Sequence, residues 1–333
     1  MAQDETGPLS TEQAQAQFGQ QPIKERHIAI LAYPGVLNSA LHGLAEMLLL
    51  ANRCAAEQGL PWRFYPEFVT WPAQIQTQTQ SRWDAVLLPP AMDDSGYGQE
   101  NEALSQWLRQ CHGQGALIAS ACAGAFLLAA AGLDSGRPLT THWGLEAAFR
   151  QRFAKAKLDC GQILIDQGDI ISAGGMMSWL ELGFALVARL GDPSLVSQLG
   201  KLLVVDTGVR EQRFYRRFEA KLNHGDSAIA GLQTWLEQQL HGPISVVAMA
   251  GYCHMTPRTL QRRFLKATGL QPAQYLLELR MQRARERLES GNDSFERIAT
   301  ELGYEDVSAC RRAFTRLCGL SPGEYRRRFR RSG

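Results

Sequence analysis

Two stretches of the chain, MTPRTLQRRFLKATGLQPAQY (255–275) and EDVSACRRAFTRLCGLSPGEY (305–325), superpose without a gap at an offset of 50 residues. Arg262 falls on Arg312, Phe264 on Phe314, Gly269-Leu270 on Gly319-Leu320, Pro272 on Pro322 and Tyr275 on Tyr325, while Arg263 falls on Ala313. Such a repeat commits the last third of the chain to one small unit folded twice. Before each copy stands an apolar residue followed by alanine, Met249-Ala250 and Ile298-Ala299, predicted to face a core.

Each copy reads as helix, turn, helix. Thr256 is predicted to cap a helix that opens with Pro257, whose missing N–H costs nothing in a first turn. Asp306 takes the same place in the second copy. Leu260 and Phe264 lie four apart and share a face, and Cys310, opposite Leu260 in the repeat, is expected in the core. Gly269 and Gly319 stop the helices, with proline three residues on. The two helix-turn-helix units are placed at about 246–267 and 295–317. Between the copies, PAQYLLELRMQRARERLESG is one long helix of roughly 18 residues, spanning about 27 Å. That approaches the ~34 Å between successive major-groove faces of B-DNA. Two repeated helices one DNA turn apart, on one side of a duplex, are therefore expected.

Charge is divided to match. Residues 241–333 hold 17 Arg and Lys against 9 Asp and Glu, whereas residues 1–240 hold 18 against 24. All but Lys266 of those 17 are arginine. A basic third attached to an acidic body points to a polyanion as the partner of that third alone.

The doublet resembles the DNA-binding domains of the AraC/XylS family over about residues 230–330, through TPRTLQRRF, TGLQPAQY, LGYEDVSACRRAF and GLSPGEYRRRF. The resemblance implies double-stranded DNA as partner, with the second helix of each unit in a major groove. Arg258, Gln261 and Arg262 match the base-reading positions of the first such helix, and Val307, Ser308 and Arg312 those of the second. The chemistry agrees: arginine can fork onto guanine O6 and N7, glutamine can pair with adenine, and a valine can touch a thymine methyl. Arg263, Arg311, Arg316 and Arg326 are expected at phosphates or at neighbouring carboxylates.

Ahead of the doublet, short apolar runs of strand length (27–33, 64–70, 83–90 and 115–121) alternate with helical stretches (41–59, 100–113 and 122–132). Residues 162–175 read as a hairpin and 176–191 as an apolar helix. Alternation of this kind predicts an α/β fold, a parallel sheet covered by helices on both faces. Cys122 falls where a strand becomes a helix, flanked by Ala121, Ala123 and Gly124. Small neighbours suit a sharp nucleophile elbow, and a helix N-terminus favours thiolate. His142 follows 20 residues later.

This body resembles the PfpI-type branch of the class I glutamine-amidotransferase-like superfamily, through LAYPGV, WDAVLLPP, IASACAGAFLLAAAGLDSGRPLTTHW and IISAGGMMSWLELGFALV. Over 27–200 it is similar to the GlxA-type group, in which such a domain precedes an AraC-type unit. The resemblance implies a flavodoxin-like sheet followed by an all-α domain with two helix-turn-helix units. It also implies a nitrogen-containing metabolite as effector and dimerisation through the body. Active relatives carry glycines of an oxyanion hole where this chain has Pro89-Pro90-Ala91, and a carboxylate where it has VLNSA (36–40). Proline has no N–H to donate, and one lost oxyanion donor costs ~10²–10³ in rate. Catalysis is therefore not expected. Cys122 and His142 read as relics that, with Trp143 and Trp179, line a pocket for a small effector. The alternative is a PfpI-like cysteine hydrolase carrying a DNA-binding module.

The expected divisions are a disordered tail (1–25), an effector and dimerisation domain (26–205), a linker (206–228) and the DNA-binding domain (229–331). The Gln-rich tail has no apolar core of a signal peptide, and no run of 18 apolar residues could cross a membrane. Seven cysteines with no CxxC pair suggest reduced thiols in the cytoplasm, no structural metal and no cofactor. The chain thus reads as a cytoplasmic, homodimeric transcription regulator, an activator by the leaning of its family.

Overall fold

The computed structural model describes residues 22–73, 75, 82–208 and 211–330. The expected tail lies outside the described residues as far as residue 21, and so does Arg331. The chain forms two compact units, Met1–Gln212 and Arg213–Gly333.

The first unit is built on a six-stranded sheet in the order β2-β1-β3-β4-β8-β7. Its strands are β1 (Lys24–Ala32), β2 (Trp62–Thr70), β3 (Ala85–Leu88), β4 (Leu117–Ala121), β7 (Leu164–Asp166) and β8 (Ile170–Ala173). β5 (Pro138–Leu139) and β6 (Lys157–Leu158) pair separately. All neighbours in the large sheet run parallel except β7, which is antiparallel to β8 across the predicted hairpin. β3 and β4, AVLL and LIASA, are buried at every position. Strands covered on both faces need no polar alternation.

Within β1 the side chains divide by parity. Ile28 and Ile30 join a cluster with Leu44 and Leu48 of α1 (Asn38–Glu57) and Leu186 of α5 (Trp179–Leu190). Ala29 and Leu31 join a cluster on the other face with Leu108 of α2 (Glu102–Gly113), Phe126 of α3 (Gly124–Ala130) and Phe149 of α4 (Glu146–Arg152). Each large apolar side chain buried here contributes roughly 1.5–3 kcal/mol. α6 (Pro193–Leu203) follows, opened by Asp192, whose carboxylate accepts the Ser194 N–H at 2.8 Å. No helix among the described residues is long and apolar enough to cross a membrane.

The second unit is all helix: α7 (Ser227–Gln238), α8 (Val246–Tyr252), α9 (Pro257–Thr268), α10 (Pro272–Ser290), α11 (Phe295–Glu301), α12 (Val307–Cys318) and α13 (Pro322–Phe329). The predicted caps are in place. Thr256 Oγ1 accepts the Thr259 N–H, Asp306 accepts the Ser308 N–H, and Gly269 and Gly319 end their helices at φ of 78° and 74°. That left-handed backbone favours glycine.

The 19 residues of α10 reach about 28 Å. Its Tyr275, Leu276, Met281, Ala284 and Leu288 are buried in a core that also takes Leu260, Phe264, Cys310 and Phe314. Tyr275 packs edge-on to Phe264 at 5.1 Å, and Tyr325 edge-on to Phe314 at 5.4 Å.

Residues 206–228, read from sequence as linker, are taken up by the two units. Gln212 is buried in the first. Arg213 to Asp226 line the second: Phe214 and Arg213 crowd Gly319, the Arg216 carbonyl accepts a hydrogen bond from Arg285, and the Phe218 N–H donates to Gln282 Oε1 at 3.2 Å. The composition of this stretch is polar, yet Gln212, Phe214, Arg216 and Phe218 each meet a specific partner.

Candidate functional site

In the second unit the repeated helices α9 and α12 each bury one face and leave one in solvent. On α9, Leu260 and Phe264 are buried, while Arg258, Gln261 and Arg262 are exposed. On α12, Cys310, Phe314 and Cys318 are buried, while Ser308 and Arg312 are exposed. Among the described residues Arg258 and Arg262 take part in no ion pair. Arg312 makes only a 3.4 Å contact with Asp306, and its side chain is 72% exposed. A pair of that kind is worth little and yields easily to another anion. Val307 is the exception among the base-reading candidates, being half-buried against the core.

The four arginines expected at phosphates or carboxylates separate by their partners. Arg263 donates two hydrogen bonds to the Asp226 carboxylate, at 2.9 and 2.7 Å. The guanidinium in turn holds the Asp226 carboxyl below the usual carboxylate range. Arg311 bridges to Glu296 at 2.7 Å and lies over the Phe295 ring. Arg326 donates to the Asp293 carbonyl. Arg263 and Arg311 thus have neighbouring carboxylates as partners, and Arg326 a backbone carbonyl. Arg316 is exposed and, among the described residues, in no ion pair. A cation that the sequence reading passed over is Lys266, exposed and four residues after Arg262. Both line a cavity of about 500 Å³ with His224 and Ser227. Their i,i+4 spacing was the available signal.

In the first unit Cys122 follows the end of β4 in a left-handed conformation, φ 53°. Its N–H donates to the Ala173 carbonyl at 2.8 Å, and its carbonyl accepts from Thr141 Oγ1 at 2.6 Å. A Cβ on Gly124 would meet the Leu88 carbonyl oxygen at 2.1 Å, so the turn needs glycine there. The predicted helix start at 122 moves to Gly124 because Cys122 is spent on this turn. The elbow geometry is present.

Burial governs the ionisation of both its thiol and the nearby histidine. Burial pushes the Cys122 thiol up to about 11, although the backbone N–H groups of Ala123 and His142 favour its thiolate. Among the described residues the His142 ring makes no hydrogen bond to the sulfur. Its Nδ1 accepts the Gly144 N–H at 3.1 Å, and burial lowers its pKa, so the ring is neutral. Among the described residues no carboxylate forms an ion pair with His142. The Pro90 carbonyl is occupied by the Leu37 N–H at 2.8 Å, and the Pro89 carbonyl by the Tyr33 hydroxyl.

At pH 7.5 a thiol of pKa about 11 is ionised about once in 3,000, against about once in 10 for an ordinary one. Iodoacetamide should therefore label Cys122 at least about 100-fold more slowly than a free thiol. The rate should climb roughly tenfold per pH unit, because thiolate is the reacting form. Peptide mapping over time checks this, and prompt labelling at pH 7.5 would restore a reactive cysteine.

The expected four-residue pocket is not assembled. Trp143 lies tilted against His142 at 5.0 Å and packs on the cluster of Cys122. Trp179 belongs to the cluster on the opposite face of the sheet, its ring against Gly43. As the first residue of α5 it follows the face that helix buries. What stands beside Trp143 instead is Gln212. Its Oε1 accepts the Trp143 N–H at 3.2 Å, and its Nε2 donates to Thr140 Oγ1 and to the carbonyls of Thr141 and Gln162 at 2.8–2.9 Å. Nothing in the polar stretch around Gln212 announced this.

Comparison with known proteins agrees with both halves. Residues 69–189 match the DJ-1/PfpI family and residues 249–328 a helix-turn-helix domain. The transcriptional regulator ArgR of Pseudomonas aeruginosa is 28% identical over 289 residues, 86% of this chain and 83% of its own length. CdhR of the same organism is 28% identical over 226 residues, 67% of each chain. GlxA of Rhizobium meliloti is 28% identical over 230 residues, 66% of this chain and 68% of its own. With the doubled helix-turn-helix and the sheet-borne elbow already in place, these matches identify the chain as an AraC-type DNA-binding transcription regulator that carries a DJ-1/PfpI domain.

Proposed function

We propose that this regulator is a metabolite-responsive activator whose first unit binds a small nitrogen-containing molecule without transforming it. It works as a homodimer in the cytoplasm, with α9 and α12 laid in successive major grooves on one side of the duplex. The single observation that supports the DNA reading is the matched pair of exposed faces, Arg258, Gln261 and Arg262 on α9, and Ser308 and Arg312 on α12. They are held to one rigid α10. The non-catalytic reading of the elbow is supported by the Cys122 thiol, pushed up to about 11, and by a His142 turned to its own backbone. Ligand acts on transcription only if it binds two conformations of the protein unequally.

The test is a titration of the full chain against its own upstream DNA and against random fragments of equal length, at fixed salt. A preference of ~10³ or more for the upstream fragment is expected. Affinity for both should fall as salt rises, because phosphate contacts release counterions. Equal affinity for both fragments would overturn the reading of sequence-specific recognition.

A further inference from the structure

The cavity of about 500 Å³ in the second unit is lined by residues 224–227, which lead into α7, and by the stretch of α9 that carries Arg262, Arg263 and Lys266. Its charges are unequally spent. Asp226 accepts two hydrogen bonds from Arg263 and a third from the Ile229 N–H, so this acid and this base neutralise each other. His224 is engaged at both ring nitrogens. Its Nδ1 accepts the Asp226 N–H at 3.1 Å, which leaves Nε2 to donate to Gln233 Oε1 at 2.8 Å, and the ring so held carries no charge. The side chains of Arg262 and Lys266 are exposed and, among the described residues, in no ion pair or hydrogen bond.

We propose that this cavity seats a phosphate of the DNA backbone, held by Lys266, beside the base that Arg262 reads. The inference rests on the reading that α9 lies in a major groove, and it adds the backbone contact that fixes the helix there. Two cations without a matching acid draw an anion to the cavity. They divide its use by their shapes. The flat guanidinium of Arg262 suits two acceptors on a base edge, whereas the lysine ammonium is a compact point charge that suits a phosphate oxygen. Lys266 follows Arg262 by one turn, about 6 Å along the axis and on the same side of the helix. The volume is more than a lone phosphate fills and has room for its sugar as well. Contacts to phosphate carry no sequence information, but they set the register in which a reading helix meets its bases.

The seat belongs to the first reading helix. At the repeat offset of 50, residues 224–227 correspond to 274–277, which lie inside α10. That wall is therefore not repeated beside α12, although Arg316 stands in the place of Lys266.

Lys266→Gln in the full chain, titrated against the upstream fragment and a random fragment of equal length from about 50 to 200 mM salt, tests this. Affinity for both fragments should fall by the same factor, about tenfold near 0.1 M salt, and the slope of log affinity against log salt should shrink by about 0.9, the share of one phosphate. Lys155→Gln removes the same charge from an exposed position of the first unit and should change neither quantity. Ser227→Asp places a carboxylate in the cavity at the first position of α7, where a helix N-terminus favours it. It should weaken both fragments at least as much as Lys266→Gln without lowering Tm. AMP, a free phosphate with its sugar, should give no saturable heat when titrated into the full chain. An unchanged slope for Lys266→Gln overturns the proposal, and so does a loss confined to the upstream fragment, which would make the lysine a base reader. Saturable AMP binding that Lys266→Gln abolishes, with the slope on DNA unchanged, overturns it in favour of a free phosphate compound. The slope on random DNA needs no sequence preference, so failure here is separable from failure of specific recognition.

Discussion

Replacing Arg262 or Arg312 by alanine should weaken binding of the specific DNA by about 1–3 kcal/mol each, the worth of one bidentate guanine contact. Both side chains are exposed and neither supports the core, so the loss should appear in recognition and not in folding. The two sit on different helices and share no partner, so their effects should add. The double variant then loses about 2–6 kcal/mol, or roughly 30-fold to more than 10⁴-fold in affinity. Affinity for random DNA should fall far less, since it depends on charge and not on base edges. A gel-shift titration at fixed salt measures both. If either variant binds its specific fragment as the parent does, that helix does not read bases through that arginine.

Phe264→Ala and Phe314→Ala should each cost about 3–5 kcal/mol of stability, the usual loss for a buried phenylalanine whose cavity cannot collapse. Both rings are fully buried. Phe264 meets Tyr275 edge-on, and Phe314 meets Phe295 at 5.8 Å as well as Tyr325. Tyr275 stands on α10, Phe295 on α11 and Tyr325 on α13, all buried in the same core, so a hole there has no loose neighbour to fill it. A small domain holds only about 5–15 kcal/mol in all, so either change removes a large part of it. Trp235 is the one tryptophan of 213–333, and it stacks on Tyr252 at 5.0 Å. Urea unfolding followed through loss of that stacking reads the second unit. A loss below 1 kcal/mol at either position would mean that the core around α10 repacks.

Much of the second unit was legible because a repeat doubles every local signal. Thr256 and Asp306 as caps, Gly269 and Gly319 as stops, and Cys310 as core all rest on interactions within a few residues of chain. In the first unit the apolar strands and the elbow at Cys122 were legible for the same reason, a run of small residues between strand and helix. What escaped depends on partners far apart in sequence. Arg263 is matched with Asp226, 37 residues away, and nothing in its own neighbourhood separates a brace from a phosphate contact. Trp179 was placed with Cys122 by nearness to the strand ends, but the face that α5 buries decided otherwise. Gln212 sits in a polar stretch, and its burial follows from four backbone and hydroxyl groups on other segments.

The run from Arg213 to Asp226 touches both reading helices. It begins against Gly319, where α12 ends, passes α10 at Gln282 and Arg285, and finishes at the carboxylate that grips Arg263 of α9. It is a yoke across the two readers. A change in the path of this run would reach both repeated helices at once.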